Sequence, residues 1–427
     1  MFVNARAVLL SLAGLLAGCS ASLAASSPSG SWPMYQKVPS HNAVLPPIRG
    51  LSAWKFEAGA KINGGLAVAG NTLFLDTFGN ELIALDVRSG RVLWRARADN
   101  ILMSTPVVAD GLVYVGSGDN TRLQGQTGAS TFNPPPRGLH LSPVWGKPAG
   151  DSLLAYDVST GEKRWQYKTV GEDMPSAAYV NDVLVFANGD LHSYGINAAS
   201  GAVKWLHALP GLATMASATA AGDRVFLSDC VEEPYHCETI AVDAATGSVA
   251  WRAPFGNSDS SPTYGDGQVF VSGIEDASTG ALREGRAVVA AIDARTGRKA
   301  WVYMTKQAGP YTQVGSAERA IAGTYAGGVY YQAIPTHDEL VAFDGKTGRL
   351  LWTMTSIAPI KMSPVVSDGR VYVGDTAGLF YEIDARSGRI RTSRLFKQPF
   401  TTSPPIVIGN FVLVAGDSTV YALPIRR

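Results

Sequence analysis

The sequence predicts an all-β protein, an eight-bladed β-propeller of four-stranded antiparallel blades closed by pairing the N- and C-terminal strands in one blade. Three observations carry that prediction. A carboxylate or its amide is followed four residues on by Gly and eight residues on by Trp in segment after segment. Alternating apolar runs flank each copy, and the two ends of the chain hold complementary halves of one copy.

The first element lies outside the ring. Arg6 precedes an apolar run from Ala7 to Ala17, then Gly18 and Cys19, too short to span a bilayer and suited to export. Leu16-Ala-Gly-Cys19 resembles the bacterial lipobox, in which small residues admit the signal peptidase and the cysteine thiol is acylated. That reading makes 1–18 a lipoprotein signal peptide and Cys19 the lipidation site, with 19–50 as tether and lead-in; Ser20 to Pro33 is the Ser, Ala and Pro tether. The alternative is an ordinary signal cleaved near Ala24 or Ala25, with Cys19 discarded. Ser20 after the cysteine resembles sorting to the outer membrane, so the expected location is the cell envelope, lipid-anchored and facing the periplasm.

The ring occupies 51–427. Its motif copies are Asp86/Gly90/Trp94, Asp157/Gly161/Trp165, Asn197/Gly201/Trp205, Asp243/Gly247/Trp251, Asp293/Gly297/Trp301, Asp344/Gly348/Trp352 and Asp384/Gly388/Thr392. Runs such as Leu82-Ile-Ala-Leu85 before each copy have strand periodicity, and the following Asp-x-x-Ser/Thr-Gly is a turn whose Gly takes positive φ. Upstream of each lies a second hairpin, as in Pro106-Val-Val-Ala-Asp-Gly-Leu-Val-Tyr-Val115. One repeat is therefore four strands, A to D, with Trp on the outermost and packed between blades.

The ends close the ring. Val420-Tyr-Ala-Leu423 is a third strand without a fourth, and Leu51-Ser-Ala-Trp-Lys-Phe56 a fourth without a third. Together they complete one blade and remove the free sheet edge.

Repeat lengths single out one face. Strands A to C take 20 residues in plain blades, as from Leu66 to Asp86, but 51 from Pro106 to Asp157 and 31 from Pro262 to Asp293. Extra residues fall between B and C, and the D-to-A link from Trp301 to Ala322 is also long, at 21 residues against 12 from Trp94 to Pro106. B-to-C and D-to-A loops share one face of an up-and-down blade, so this is the expected binding side. The residues three before each A strand ring the channel mouth there: Asn63, Met103, Met174, Met215, Asp259, Arg319, Lys361 and Thr402. They read either as channel lining, with Met filling irregular space and charges pairing, or as an amphipathic pocket for an anionic or peptide ligand. The insertion from Thr121 to Lys147 holds three consecutive prolines and a Trp145 outside the docking series. Arg137, Trp145, Tyr235 and Arg319 are the candidate partner-binding residues, because aromatic and Arg anchors dominate interfaces.

Cys230 and Cys237 lie seven apart, which suits a disulfide at the base of a loop in an oxidising compartment; a metal site with His236 is the alternative. Net charge is +1 with no basic stripe, so nucleic acid is not an expected partner. None of the six histidines stands beside a nucleophile motif.

The repeats, Ala-x-Asp-x-x-Thr-Gly-x-x-x-Trp after a Pro-Val-Val-x-Asp-Gly-x-Val-Tyr-Val hairpin, resemble the pyrroloquinoline-quinone (PQQ)-like repeat family over residues 51–424. The family includes quinoprotein dehydrogenases, which hold PQQ and calcium over the channel, and non-enzymatic BamB-like lipoproteins of outer-membrane assembly. The adjacent cysteine pair of many dehydrogenases is missing, and their calcium ligands find no counterpart here. The resemblance implies a monomeric, non-enzymatic scaffold binding an envelope protein, BamB-like or a paralogue serving another envelope complex, with no cofactor. The alternative is a PQQ and calcium enzyme, or a small-ligand binder at the channel mouth.

Overall fold

The turn between strands C and D sets each blade. In blade 2 the Asp157 carboxylate accepts from the Ser159 N–H (2.9 Å), the Ser159 hydroxyl (2.6 Å) and the Thr160 N–H (3.1 Å). Such local bonding favours a turn over a continued strand. Gly161 then takes φ +74°, where a β-carbon would stand 2.6 Å from Cε3 of Trp94 in blade 1. The Trp94 indole N–H donates to the Val158 carbonyl at 2.9 Å. Motif Asp, Gly and Trp are thus one device: the turn of one blade is the seat for the Trp of the blade before it. Trp54, Trp165, Trp205, Trp251, Trp301 and Trp352 dock the same way, each indole donating to a carbonyl of the next blade. Thr392 breaks the series between blades 7 and 8, where Phe396 packs edge-on against Tyr421 instead.

The computed structural model describes residues 31–425 apart from 63, 119–150, 170–174, 214, 233–234, 258, 276–283, 307–308 and 311–320. Eight antiparallel sheets make the ring. Their A strands, for blades 1 to 8, are Ala67–Ala69, Val107–Ala109, Ala178–Val180, Thr219–Ala221, Thr263–Gly265, Thr324–Ala326, Val365–Ser367 and Ile406–Ile408. These short strands touch one another around the axis, and each sheet runs outward from A through B and C to D. Blade 8 takes A, B and C from Ile406–Pro424 and its D strand from Trp54–Glu57, so the ring closes as expected. The only helical segment among the described residues is the 3-10 turn Pro335–His337.

The insertions lie between B and C. In blade 4 the added residues lengthen the strands themselves: Arg224–Glu232 pairs with Tyr235–Asp243 up to the hairpin tip. Cys230 and Cys237 face each other across that hairpin and are joined just beneath the tip. Gln268–Glu275 and Glu284–Asp293 form the corresponding long hairpin of blade 5.

The lead-in does not skirt the disc. Trp32 pairs antiparallel with Val108 of blade 2, so this stretch enters from the short-turn face, where A meets B. The Pro33 carbonyl accepts from the Tyr179 N–H of blade 3, and the chain reverses at Gln36 and Lys37, both with positive φ. On the way back Pro39 and Ser40 accept from Tyr264 and Tyr325 of blades 5 and 6, at 2.7 and 2.9 Å. The Asn42 amide bonds both backbone groups of Val366 in blade 7. Val44–Leu45 then pairs parallel with Val407–Ile408 of blade 8, leading out on the face of entry. The lead-in is a loop inserted along the axis, satisfying backbone groups of the inner strands that the blades leave unpaired.

Candidate functional site

Above this loop, on the insertion face, the channel remains open as a cavity. It has about 580 Å³ between the atoms, part of it open to solvent. Five ring residues, Met103, Met215, Asp259, Lys361 and Thr402, line it; Asn63, Met174 and Arg319 lie outside the described residues. Arg137 and Trp145 also lie outside them, and of Tyr235 only the backbone is described, close to the tip of the blade 4 hairpin.

The lining also contains groups that the repeat pattern did not single out. Two residues before the A strand, successive blades place Gly65, Thr105, Ser176, Ser217 and Ser261. The Gly65 N–H donates to the Thr105 hydroxyl (2.8 Å), Thr105 N–H to Ser176 (2.8 Å), Ser176 N–H to Ser217 (3.0 Å) and Ser217 N–H to Ser261 (2.8 Å). Each hydroxyl accepts from the blade before it and keeps its own hydrogen for the cavity. The belt stops at Ala322, which has no hydroxyl; beside it the Ile321 carbonyl accepts from the Ser260 hydroxyl (3.0 Å). A hydroxyl residue recurring two places before the A strand was the available signal. It is a weak one, because Ser and Thr are common beside strands.

Tyr35, from the inserted loop, forms the floor. The Ser363 hydroxyl donates to the Ala322 carbonyl (2.7 Å), so the Tyr35 hydroxyl donates to Ser363 (3.2 Å). Burial pushes the phenol up to about 12, so it is a neutral donor. Behind the wall Gly64 leaves room for Asp76, since a β-carbon on Gly64 would lie 2.4 Å from an Asp76 oxygen. Asp76 is fully buried, neither oxygen has a partner among the described residues, and burial raises its carboxyl well above the ordinary range.

Below the floor, His41 is completely buried. Thr263 Oγ1 donates to the Gly323 carbonyl, so it accepts from Nδ1–H of His41 at 3.0 Å, and Nε2 accepts from Thr219 Oγ1 at 2.8 Å. The ring is neutral, with burial holding it down to about 3.

The donor set does not suit PQQ with calcium. Calcium takes six to eight oxygen ligands, carboxylates prominent among them. Among the described residues the cavity offers one carboxylate, Asp259, and the chain shows no metal-competent cluster of acids, His and Cys. The hydroxyls of the belt suit a small polar ligand with acceptor oxygens.

A family model described as "Outer membrane protein assembly factor BamB" matches residues 44–235, 211–333 and 336–426. Tetrathionate hydrolase of Acidithiobacillus ferrooxidans is 26% identical over 361 residues, 80% of this chain and 68% of that protein. Polyvinylalcohol dehydrogenase of a Sphingopyxis species is 23% identical over 347 residues, 65% of this chain but only 51% of the enzyme. The crystal structure of BamB from Moraxella catarrhalis superposes with a TM-score of 0.62 at 17% identity, covering 88% of this chain and 98% of that one, a likeness of fold.

Proposed function

The chain belongs to the family described as outer membrane protein assembly factor BamB, and on that premise we propose that it is a non-enzymatic, lipid-anchored envelope scaffold that binds a protein partner through its insertion face. The observation that carries this is the inequality of the two faces. On the short-turn face the turn carboxylates are spent on their own N–H and hydroxyl groups, as at Asp157, Asp243 and Asp344. On the other face the long hairpins of blades 4 and 5 stand beside the channel mouth, the first held by its disulfide. A hairpin cross-linked by a disulfide has less entropy to lose on docking.

The test is co-purification from the envelope. Arg137→Ala, Trp145→Ala, Tyr235→Ala and Arg319→Ala should weaken capture of the partner while leaving the thermal melt unchanged, because none belongs to the repeat core. Capture lost instead on changes at Arg88 or Lys346 would assign the partner to the opposite face. Labelled palmitate should enter the wild-type chain and not Cys19→Ala; no incorporation into wild type would refute the anchor.

The hydroxyl belt favours a second reading, a small anionic ligand in the mouth cavity, for which the tetrathionate hydrolase relative supplies a candidate class of substrate. Hydrolysis of tetrathionate by the purified protein would put the enzyme reading first. Tight PQQ binding with dye-linked alcohol oxidation would do the same for the quinoprotein alternative.

A further inference from the structure

The short-turn face has a charge and shape of its own. Both ends of the inserted loop leave on it: Ser31 lies beyond Trp32 on the A-to-B turn side of blade 2, and the Leu45 carbonyl accepts from the N–H of Gly409 in the same turn of blade 8. The chain then crosses this face to the C-to-D turn of blade 1, where Ser52 N–H meets the Arg88 carbonyl. Ser31, the first described residue, therefore lies on this side.

Around the rim of blades 5 to 7 the turns expose Arg295, Arg298, Lys346, Arg349, Arg386 and Arg389. Among the described residues the ion pairs of the C-to-D turns are those of Arg88, Arg164 and Arg391, so these six cations are not taken up. The nearby acids are Asp293, Asp344 and Asp384, folded into their turns' own hydrogen bonds, and Asp266 and Asp368 on the A-to-B turns nearer the axis. The outermost groups are cationic. Next to them stand half-exposed aliphatic side chains: Leu350 directly follows Arg349 and Ile390 follows Arg389, at 40% and 47% exposure. Val203 and Val249 take the same place in blades 3 and 4, at 45% and 48%.

We propose that this face docks on an anionic phospholipid bilayer, with the basic rim at the headgroups, the aliphatic side chains at the interface, and the insertion face turned away from the membrane. Cations mixed with aliphatic groups suit an anionic lipid surface, where each Lys or Arg adds an attraction that falls off within a Debye length. The outward orientation rests on the lipid-anchor reading; the charge attraction does not. The arrangement leaves the hairpins of blades 4 and 5 free for a partner.

The closing experiment places one fluorophore on the acylated chain through Ala300→Cys, on the basic rim, or Ala377→Cys, on the B-to-C turn of blade 7. Each is mixed with vesicles of phosphatidylcholine alone or with added phosphatidylglycerol, carrying a lipid-bound quencher. Quenching is expected at position 300 well above that at 377 on the phosphatidylglycerol vesicles, and it should fall as salt is raised. Combined Arg298→Glu, Lys346→Glu and Arg389→Glu should bring the two positions to parity, whereas Lys61→Glu, Lys168→Glu and Lys397→Glu together should not. Equal quenching at the start, stronger quenching at 377, or no effect of the rim reversals would overturn the proposal. A chain that washes off phosphatidylcholine vesicles while still showing the phosphatidylglycerol-dependent signal would refute the anchor and leave the surface standing.

Discussion

Replacing His41 with Gln removes the one histidine of the inserted loop while keeping a side chain that can reach one of its two threonine partners. The wild-type ring is neutral when folded, held at about 3 by burial, against 6.5 for a free imidazole. An unfolded histidine binds protons below pH 6.5 and the folded one does not, so the stability is fully present above that pH and is lost as pH falls towards 3. Between about pH 7.5 and pH 5 the difference in proton binding amounts to roughly 2 kcal/mol for this residue alone. Against that, His41→Gln loses one buried hydrogen bond and some packing, about 2 kcal/mol at neutral pH. Urea melts of both proteins at the two pH values separate the effects, because the carboxylates common to both cancel in the difference of differences. The variant should be weaker at pH 7.5 and should nearly rejoin wild type at pH 5. Parallel pH profiles would mean that the ring is hydrated or already charged, and that the loop is not seated in the channel as described.

Two further outcomes follow from packing and burial. Gly161→Ala drives a β-carbon into the Trp94 ring at positive φ and should cost roughly 3 kcal/mol or more, whereas Gly111→Ala, with φ +78° and nothing within 4 Å, should cost only the backbone strain of about 1 kcal/mol; equal losses in thermal melts would deny that Trp docking holds the blades. Asp229 is buried and its carboxyl is raised to about 7, chiefly by burial and then by Glu238, so its stability is full below the unfolded value of 3.8 and lost as pH rises through 7. Asp229→Asn should accordingly gain up to about 4 kcal/mol near pH 8 and nothing near pH 4, and an equal shift at both pH values would refute the buried acid.

The repeat was legible because its determinants are local. Asp, Ser or Thr, and Gly must stand at fixed spacing to close a turn, and the following Trp must fall where the preceding blade needs a lid, so Asp157, Gly161 and Trp94 write blade and interface in the same few letters. Five of the ring positions around the cavity came from the same arithmetic, since any residue at a fixed offset from an A strand lands on the axis. The loop expected between Cys230 and Cys237 is instead the end of a paired hairpin: whether added residues make a loop or prolong two strands depends on cross-strand partners, which spacing does not contain.

By itself, then, the sequence determined the number of blades, their closure through Trp54–Glu57, and the side on which residues accumulate. Only the tertiary structure decided what fills the axis. His41 meets partners 178 and 222 residues away, and Asn42 one 324 residues away. A segment that touches many blades in turn has no period of its own, and its contacts are set by where the ring brings eight inner strands together. The hydroxyl belt has the same origin. Thr105, Ser176, Ser217 and Ser261 are unremarkable one at a time, and they become a line of donors only when closure sets each beside the backbone N–H of its neighbour.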